Sequence, residues 1–477
     1  MSFRRTVVSG LYWSAGGRLA GQAVSWIITI VVIRVLSPAD YGLLAMATVF
    51  VEFFGMMSQF GAGTAVVQAP ELDERKLRQM FGFAIVVNGV LFAVIFLGAP
   101  LVAAFFGEER LTVIVRALAV PFLLSALGMI PGALLARELH YKTMSLIALS
   151  ATIVSSVTTL VLALAGAGVW SLVWGTLVSA AWVAVINNIA SPFLKWPIFS
   201  FRGTRELVVY GGNLTITRIL WFWYSQADTI IAGKLLGKEL LGIYSVAMHL
   251  ATLPANKLSA LINQVAFPAF ARIQHDRERY ASHFLMAVRL LSFAVFPTLW
   301  GMSSVAPELV RVLLGEKWVA AIVPLQLLAL IMPVHMFLPF MVTAANGIGR
   351  ADVSTKQVLI ASLVMPVAFA IGSVWGLVGI ALAWVIAFPL VFAQSIRLFT
   401  PVLGLGARSI LRSMAPSVVA CAGMYLAVTA VRYLLAPQMG EYVQLVLLVL
   451  TGVAAYATLT VVFNRDGVKE VLGVFRG

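Results

Sequence analysis

Runs of about twenty mostly apolar residues, each long enough to cross the hydrocarbon core of a bilayer, recur along nearly the whole chain. In lipid every backbone polar group must be satisfied internally, so such runs admit a helical bundle and little else. Fourteen helices are expected, near residues 6–33, 41–66, 79–106, 111–136, 143–165, 168–190, 208–233, 241–267, 283–305, 318–345, 354–374, 376–396, 408–434 and 441–463. Composition agrees. Of 477 residues, 61% are hydrophobic and 11% charged, where a soluble domain carries about a quarter charged. The expected fold class is an all-α polytopic membrane protein with about 14 transmembrane helices.

The 33 lysines and arginines orient these helices. With the N-terminus inside, 21 fall in cytoplasmic loops and 7 outside, while Arg18, Arg116, Arg218, Lys257 and Arg289 fall within helices. A threefold bias that alternates from loop to loop is the positive-inside pattern, and it places both termini in the cytoplasm. It also accounts for the net charge of +14 without invoking nucleic acid. The apolar run after the basic start MSFRRTVVSG is too long for a signal-peptide core and reads as a retained first helix.

Several functions are excluded. The longest polar connection, SPFLKWPIFSFRGTREL at 191–207, has no room for an extramembrane catalytic or nucleotide-binding domain. Neither a G-x-x-x-x-G-K-[ST] phosphate loop nor an H-E-x-x-H zinc motif occurs. One cysteine, Cys421, sits in an apolar run, so no disulfide framework or cysteine metal site is expected. The expectation is a non-enzyme with no catalytic residue, cofactor or metal, driven by an ion gradient, the membrane potential or downstream consumption of its product.

The chain also repeats itself. RVLSPADYGLLAMA at 34–47 aligns without a gap on KLLGKELLGIYSVA at 234–247, placing Leu36 on Leu236, Gly42 on Gly242 and Ala47 on Ala247. APLVAAFFGEER at 99–110 matches APELVRVLLGEKW at 306–318 with one insertion, and Gly168 and Gly376 open the sixth and twelfth helices. Six helices separate the copies, so both cross the membrane in the same direction, a parallel repeat. The expected organisation is an N-lobe at 1–200 (six helices), a C-lobe at 201–400 (six more), and two appended helices with a basic tail at 401–477. Such lobes place a substrate path between them and alternate its access by rocking.

The repeat offset pairs Arg18 with Arg218, each near mid-bilayer, where a charge is costly unless it faces a cavity or finds a partner. Two arginines at matching depth suit an anion shared between lobes, and the planar guanidinium suits phosphate or pyrophosphate. Glu52, halfway along the second helix, is the alternative partner for Arg18. Arg289 and Lys257 extend the candidate anion-binding set, with snorkelling to the cytoplasmic face the alternative for Arg289. Glu52 and Asp228 are candidates for cavity charge or gating, Asp228 with Arg34 or Lys234 as prospective partners. Trp221 and Tyr224, in WFWY after Arg218, are candidate glycan contacts, though lipid-facing or bundle-packing aromatics are the commoner explanation of such a run. His249 and His335 are candidate proton relays.

RVLSPADYGLLAMA, the charged loop at 68–79, L-x-RELHYK at 135–142, DTIIAGKLLG at 228–237 with GIY after it, GEKW at 315–318 and NGIGRAD at 346–352 together resemble the polysaccharide transporter family. The likeness is to the Wzx-type flippases of its colanic-acid and xanthan exporter branch, within the multidrug, oligosaccharidyl-lipid and polysaccharide exporter superfamily. The resemblance implies two six-helix lobes around a cationic cavity. It further implies transfer of an undecaprenyl-pyrophosphate-linked oligosaccharide from the cytoplasmic to the periplasmic leaflet of a bacterial inner membrane. On this reading the partners are that substrate, membrane lipid and the polysaccharide polymerase or export machinery, with a monomer expected. Cavity arginines are not held at fixed motif positions in the superfamily, so Arg18 and Arg218 rest on the repeat alone. The alternatives are a multidrug exporter of the same superfamily, disfavoured because only Glu52 and Asp228 stand against several cations, and a membrane-embedded polymerase or ligase, disfavoured by the short outward loops.

Overall fold

The structure is a computed structural model describing residues 25–58, 66, 73–193, 195–200, 205–272, 276–435, 439–463, 467 and 470, with the side chains of 205–218, 255–272 and 435 left aside. No strand occurs among the described residues. The helices are α1 (Ser25–Val35), α2 (Pro38–Ser58), α3 (Glu74–Phe106), α4 (Arg110–Arg137), α5 (Tyr141–Leu164) and α6 (Val169–Ala190). A continuous stretch from Arg205 to Arg272 breaks at Gly237, whose backbone is non-helical, into α7 (205–236) and α8 (238–272). Then come α9 (Arg277–Ser304), α10 (Glu316–Gly347), α11 (Ala351–Gly372), α12 (Gly376–Leu403), α13 (Ala407–Leu435) and α14 (Glu441–Phe463). Each expected helix thus has a counterpart over at least part of its length, residues 6–24 of the first and 59–65 of the second lying outside the described residues, and ten stretches of the described residues are long and apolar enough to cross a membrane. The chain is an all-α multi-pass membrane protein.

The echoed sequences shape helix starts. In SPAD, Ser37 and Asp40 form a reciprocal capping box. The Ser37 hydroxyl and backbone N–H donate to Asp40 Oδ2 at 2.6 and 3.0 Å, and the Asp40 N–H donates to Ser37 Oγ at 3.3 Å. Pro38, with no N–H to leave unpaired, takes the first helical position. Asp40 Oδ1 accepts from the Val169 N–H at 3.0 Å, so one carboxylate caps both α2 and α6. Gly168 before α6 has φ 57° and ψ −135°, and Gly376 at the start of α12 has φ 66° and ψ −146°. That region is strained for any residue with a Cβ, so the two copies require glycine at the same backbone bend.

By packing, the chain forms two compact units: Met1–Phe222 with Gly237–Gly242, and Trp223–Leu236 with Ile243–Gly477. In the first, α3 packs on α4, α4 on α6 and α5 on α6. Gly128 on α4 allows close approach of Ala184 on α6, the small-residue contact that lets membrane helices touch. In the second, α11 packs on α12, α10 on both α9 and α12, and α13 on α9 and α14. The step between the helical segments Ile322–His335 and Phe337–Gly347 of α10 has a cause in Pro339, which has no N–H to offer the His335 carbonyl.

Candidate functional site

In the second unit a carboxylate is built into the protein interior. Asp228 on α7 is only 3% exposed, and a carboxylate there is tolerated only when hydrogen-bonded. It accepts from the Tyr244 hydroxyl on α8 at 2.6 Å, the Thr229 N–H at 2.7 Å and Trp384 Nε1 on α12 at 3.3 Å. Trp384 Nε1 also donates to the Tyr244 oxygen at 2.9 Å. Of the roles open to Asp228 (a pair with Arg34 or Lys234, a gate, or a proton acceptor), the described residues show no ion pair: it is held by neutral donors on α7, α8 and α12.

One helical turn earlier, Tyr224 is buried as well. Its hydroxyl is 3.1 Å from His335 Nε2 and the two rings stack with centroids 6.3 Å apart. Trp384 packs edge-on against His335 at 5.3 Å and against Tyr224 at 6.4 Å, and Phe388 closes on His335 at 5.0 Å. Three residues named from sequence, Asp228, Tyr224 and His335, so converge on one aromatic cluster. Tyr224, named as a possible glycan contact, has its hydroxyl engaged by His335 inside the core. The polar chain is interrupted, since ring contact and no hydrogen bond joins the Tyr224–His335 pair to the Asp228–Tyr244–Trp384 network. His249 lies exposed on α8, away from this cluster.

The other named residues scatter. Arg18 lies outside the described residues, as do the side chains of Arg218 and Lys257. Glu52 is exposed on α2, and Trp221, on α7 in the first unit, is 53% exposed. Arg289, expected to add charge to a cavity, makes a bidentate pair with Glu470, its Nε 2.9 and 3.0 Å from the two carboxylate oxygens. Near the other end of α9, Glu308 is buried and takes Arg432 of α13 as a bidentate partner at 2.8 Å twice, with Gln444 of α14 adding a third bond at 3.2 Å. That cluster clamps the two last helices to the unit.

The first unit holds a feature that charge-based reading passes over. A cavity of about 600 Å³ has Ser58, Ser125, Ser155, Thr176, Ser179 and Asn187 from α2, α4, α5 and α6 in its lining, beside apolar Leu124, Met129 and Val183. Ser58 donates to Asn88 Oδ1 at 2.6 Å, Ser155 to the Gly175 carbonyl at 2.8 Å and Asn187 to the Gly128 carbonyl at 3.3 Å. The size is that of a small-molecule site, and hydroxyl and amide groups with spare lone pairs suit a neutral polyhydroxylated ligand. The signal was present as hydroxyl residues on several helices, but single serines and threonines are common inside apolar runs and carry no charge to mark them.

Comparison with known proteins adds the following. A family profile described as polysaccharide biosynthesis protein matches residues 31–323. The chain is 26% identical over 327 residues to the teichuronic acid biosynthesis protein TuaB of Bacillus subtilis, a match covering 64% of this chain and 63% of that protein, under two thirds of its length. It is 26% identical over 403 residues to the lipopolysaccharide biosynthesis protein WzxC of Escherichia coli, covering 81% of this chain and 79% of the relative. Among solved structures, lipid II flippase MurJ in an inward closed conformation shares the fold with a TM-score of 0.72 at 15% identity, over 94% of this chain and 98% of that one.

Proposed function

The chain belongs to the polysaccharide biosynthesis protein family, and from that membership we propose that it is a flippase for a lipid-linked oligosaccharide. The substrate is an undecaprenyl-pyrophosphate-linked glycan, moved from the cytoplasmic to the periplasmic leaflet of a bacterial inner membrane by alternating access through a central cationic cavity. The observation that carries this reading is the match to WzxC along 81% of the chain, in a sequence with no loop large enough for an extramembrane catalytic domain. The fold shared with a protein named as a lipid II flippase is consistent with it.

Roles follow from the chemistry. Arg18 and Arg218 hold the pyrophosphate through charge-assisted bonds, with Lys257 and Arg289 extending the positive field and Glu52 tempering it. The hydroxyl-lined cavity beside Ser125 and Ser179 takes the glycan, and exposed Trp221 offers an aromatic face to a sugar ring. The Asp228–His335 cluster is the candidate for coupling to an ion gradient, because Asp228 is a buried carboxylate held by neutral donors, whereas buried Glu308 is paired with Arg432. The charge bias supports cytoplasmic termini. The protein works without catalytic chemistry of its own, as a monomer, beside polymerase or export machinery.

Reconstitution tests this. Purified protein in liposomes is expected to carry a labelled undecaprenyl-pyrophosphate oligosaccharide across the bilayer, and no transfer under any imposed gradient would overturn the proposal. Normal transfer by the Arg18→Ala, Arg218→Ala double variant would overturn the site while leaving the function.

A further inference from the structure

At the end of the second unit that the charge bias reads as cytoplasmic, four cations surround one cavity of about 610 Å³: Arg277 at the start of α9, Arg350 in the turn before α11, Lys356 on α11 and Arg397 on α12. All four are solvent-exposed, and the cavity floor includes buried Tyr280, fixed by a 2.6 Å hydrogen bond to the Ala344 carbonyl. Asp352 is the one carboxylate among the described lining residues. It is already taken, since Arg350 grips it with bonds of 2.8 and 2.9 Å. Among the described residues Arg277, Lys356 and Arg397 have no carboxylate partner. Three uncompensated cations on one rim raise a positive potential that an anion relieves.

We propose that this cavity is a binding site for the phosphate-bearing headgroup of an anionic lipid of the cytoplasmic leaflet, separate from the transport path. The lining decides the class of ligand. Leu398 and Val402, one turn apart on α12, and Ile348 make part of the wall apolar. A free phosphate needs the cationic rim alone, whereas a glycerophospholipid uses the rim for its phosphate and the apolar wall for the first carbons of its chains. Basic pockets between helices at the cytoplasmic surface recognise anionic lipid in this way. The volume lies in the range of small-ligand sites. The site goes beyond the flippase reading and draws on it only for which end of the bundle faces the cytoplasm.

Native mass spectrometry of the purified full chain, titrated with phosphatidylglycerol, phosphatidylcholine or inorganic phosphate, tests the proposal. Wild type is expected to retain phosphatidylglycerol and not phosphatidylcholine, with millimolar phosphate unable to displace it. The Lys356→Gln, Arg397→Gln variant is expected to bind on the order of tenfold or more weakly, from two lost charge-assisted contacts. Arg408→Gln with Arg412→Gln, on α13 and outside the lining, is expected to bind as wild type does. Equal binding by the cavity variant, equal retention of phosphatidylcholine, or displacement by inorganic phosphate would overturn the lipid assignment. If the double variant fails to fold, Arg277→Gln alone carries the same expectation of weaker binding. Binding is read without transport, so failure here leaves the flippase proposal standing, and failure of transport leaves this site standing.

Discussion

Gly42 on α2 lies against the backbone carbonyl of Lys238 on α8 with no room for a side chain, and Gly242 lies in the same way against the carbonyl of Pro38. The pairs are reciprocal: 38 and 42 on one strip of chain, 238 and 242 on the other, at the offset of the sequence repeat. Residue i of one copy touches residue j of the other and the reverse, the signature of a twofold-related contact. The repeated hairpin is therefore a helix-to-helix contact as well as a helix start. Nearby, Lys238 Nζ is 2.6 Å from Glu108 Oε2.

This geometry makes Gly42→Ala and Gly242→Ala costly, because the obstructing atoms are backbone and have little freedom to give way. A loss of about 1–3 kcal/mol is expected for each, read as a lower melting temperature in detergent. Gly89→Ala on α3 is the control, since a Cβ there meets nothing within 4 Å; equal melting of all three variants would refute the close contact.

The Glu308–Arg432 clamp is buried, with side-chain exposures of 6% and 21%. Removing one member strands the other charge, so Glu308→Ala or Arg432→Met is expected to cost about 3–5 kcal/mol. The double variant strands neither and should be more stable than Glu308→Ala alone. A thermodynamic cycle over wild type and the three variants checks this, and simple additivity would mean that the pair does not couple.

Asp228 collects donors from Thr229, Tyr244 and Trp384. Asp228→Ala leaves the Tyr244 hydroxyl without its acceptor in the protein interior, at about 1–3 kcal/mol for a group left unpaired, while Trp384 Nε1 keeps the Tyr244 oxygen at 2.9 Å. Tyr244→Phe removes one donor and should cost less. Melting temperatures in the order wild type, Tyr244→Phe, Asp228→Ala are expected, and an Asp228→Ala protein as stable as wild type would show that the network is not structural.

Arg289 and Glu470 are each partly exposed, at 30% and 23%, so their pairing contributes about 1 kcal/mol or less. Glu470→Gln is thus expected to leave stability nearly unchanged. What changes is the charge at Arg289, which loses its built-in counter-ion. Pyrophosphate should bind the Glu470→Gln protein more tightly than wild type in calorimetric titration, with Arg289→Gln cancelling the gain; no difference would remove Arg289 from the anion-binding set.

The helices were legible because their cause is local. A run of apolar residues long enough to span lipid must close its own hydrogen bonds, and no distant residue changes that requirement. Gly168 and Gly376 were legible as a pair for the same reason, since a positive φ is a demand on one residue. The candidate site was legible only in its ingredients. Asp228, Tyr224 and His335 stood out as unusual residues in apolar text, yet a search for opposite charges led to Arg34 and Lys234, while the real partners of Asp228 are a neighbouring threonine, a tyrosine 16 residues on and a tryptophan 156 residues on. Arg289 looked uncompensated because its carboxylate lies 181 residues later. The hydroxyl groups around the cavity in the first unit were present in the sequence but not distinctive, because an isolated serine in an apolar run reads as tolerated.

Taken alone, the sequence determined the membrane class, the helix order and the repeat, each set by the free energy of placing short stretches of chain in lipid. Tertiary structure alone decided which polar groups satisfy one another: Asp228 with Tyr244 and Trp384, Glu308 with Arg432, Arg289 with Glu470. The physical reason is that a buried polar group is stabilised by whichever donor or acceptor packing brings within about 3 Å, and packing joins residues with no relation along the chain.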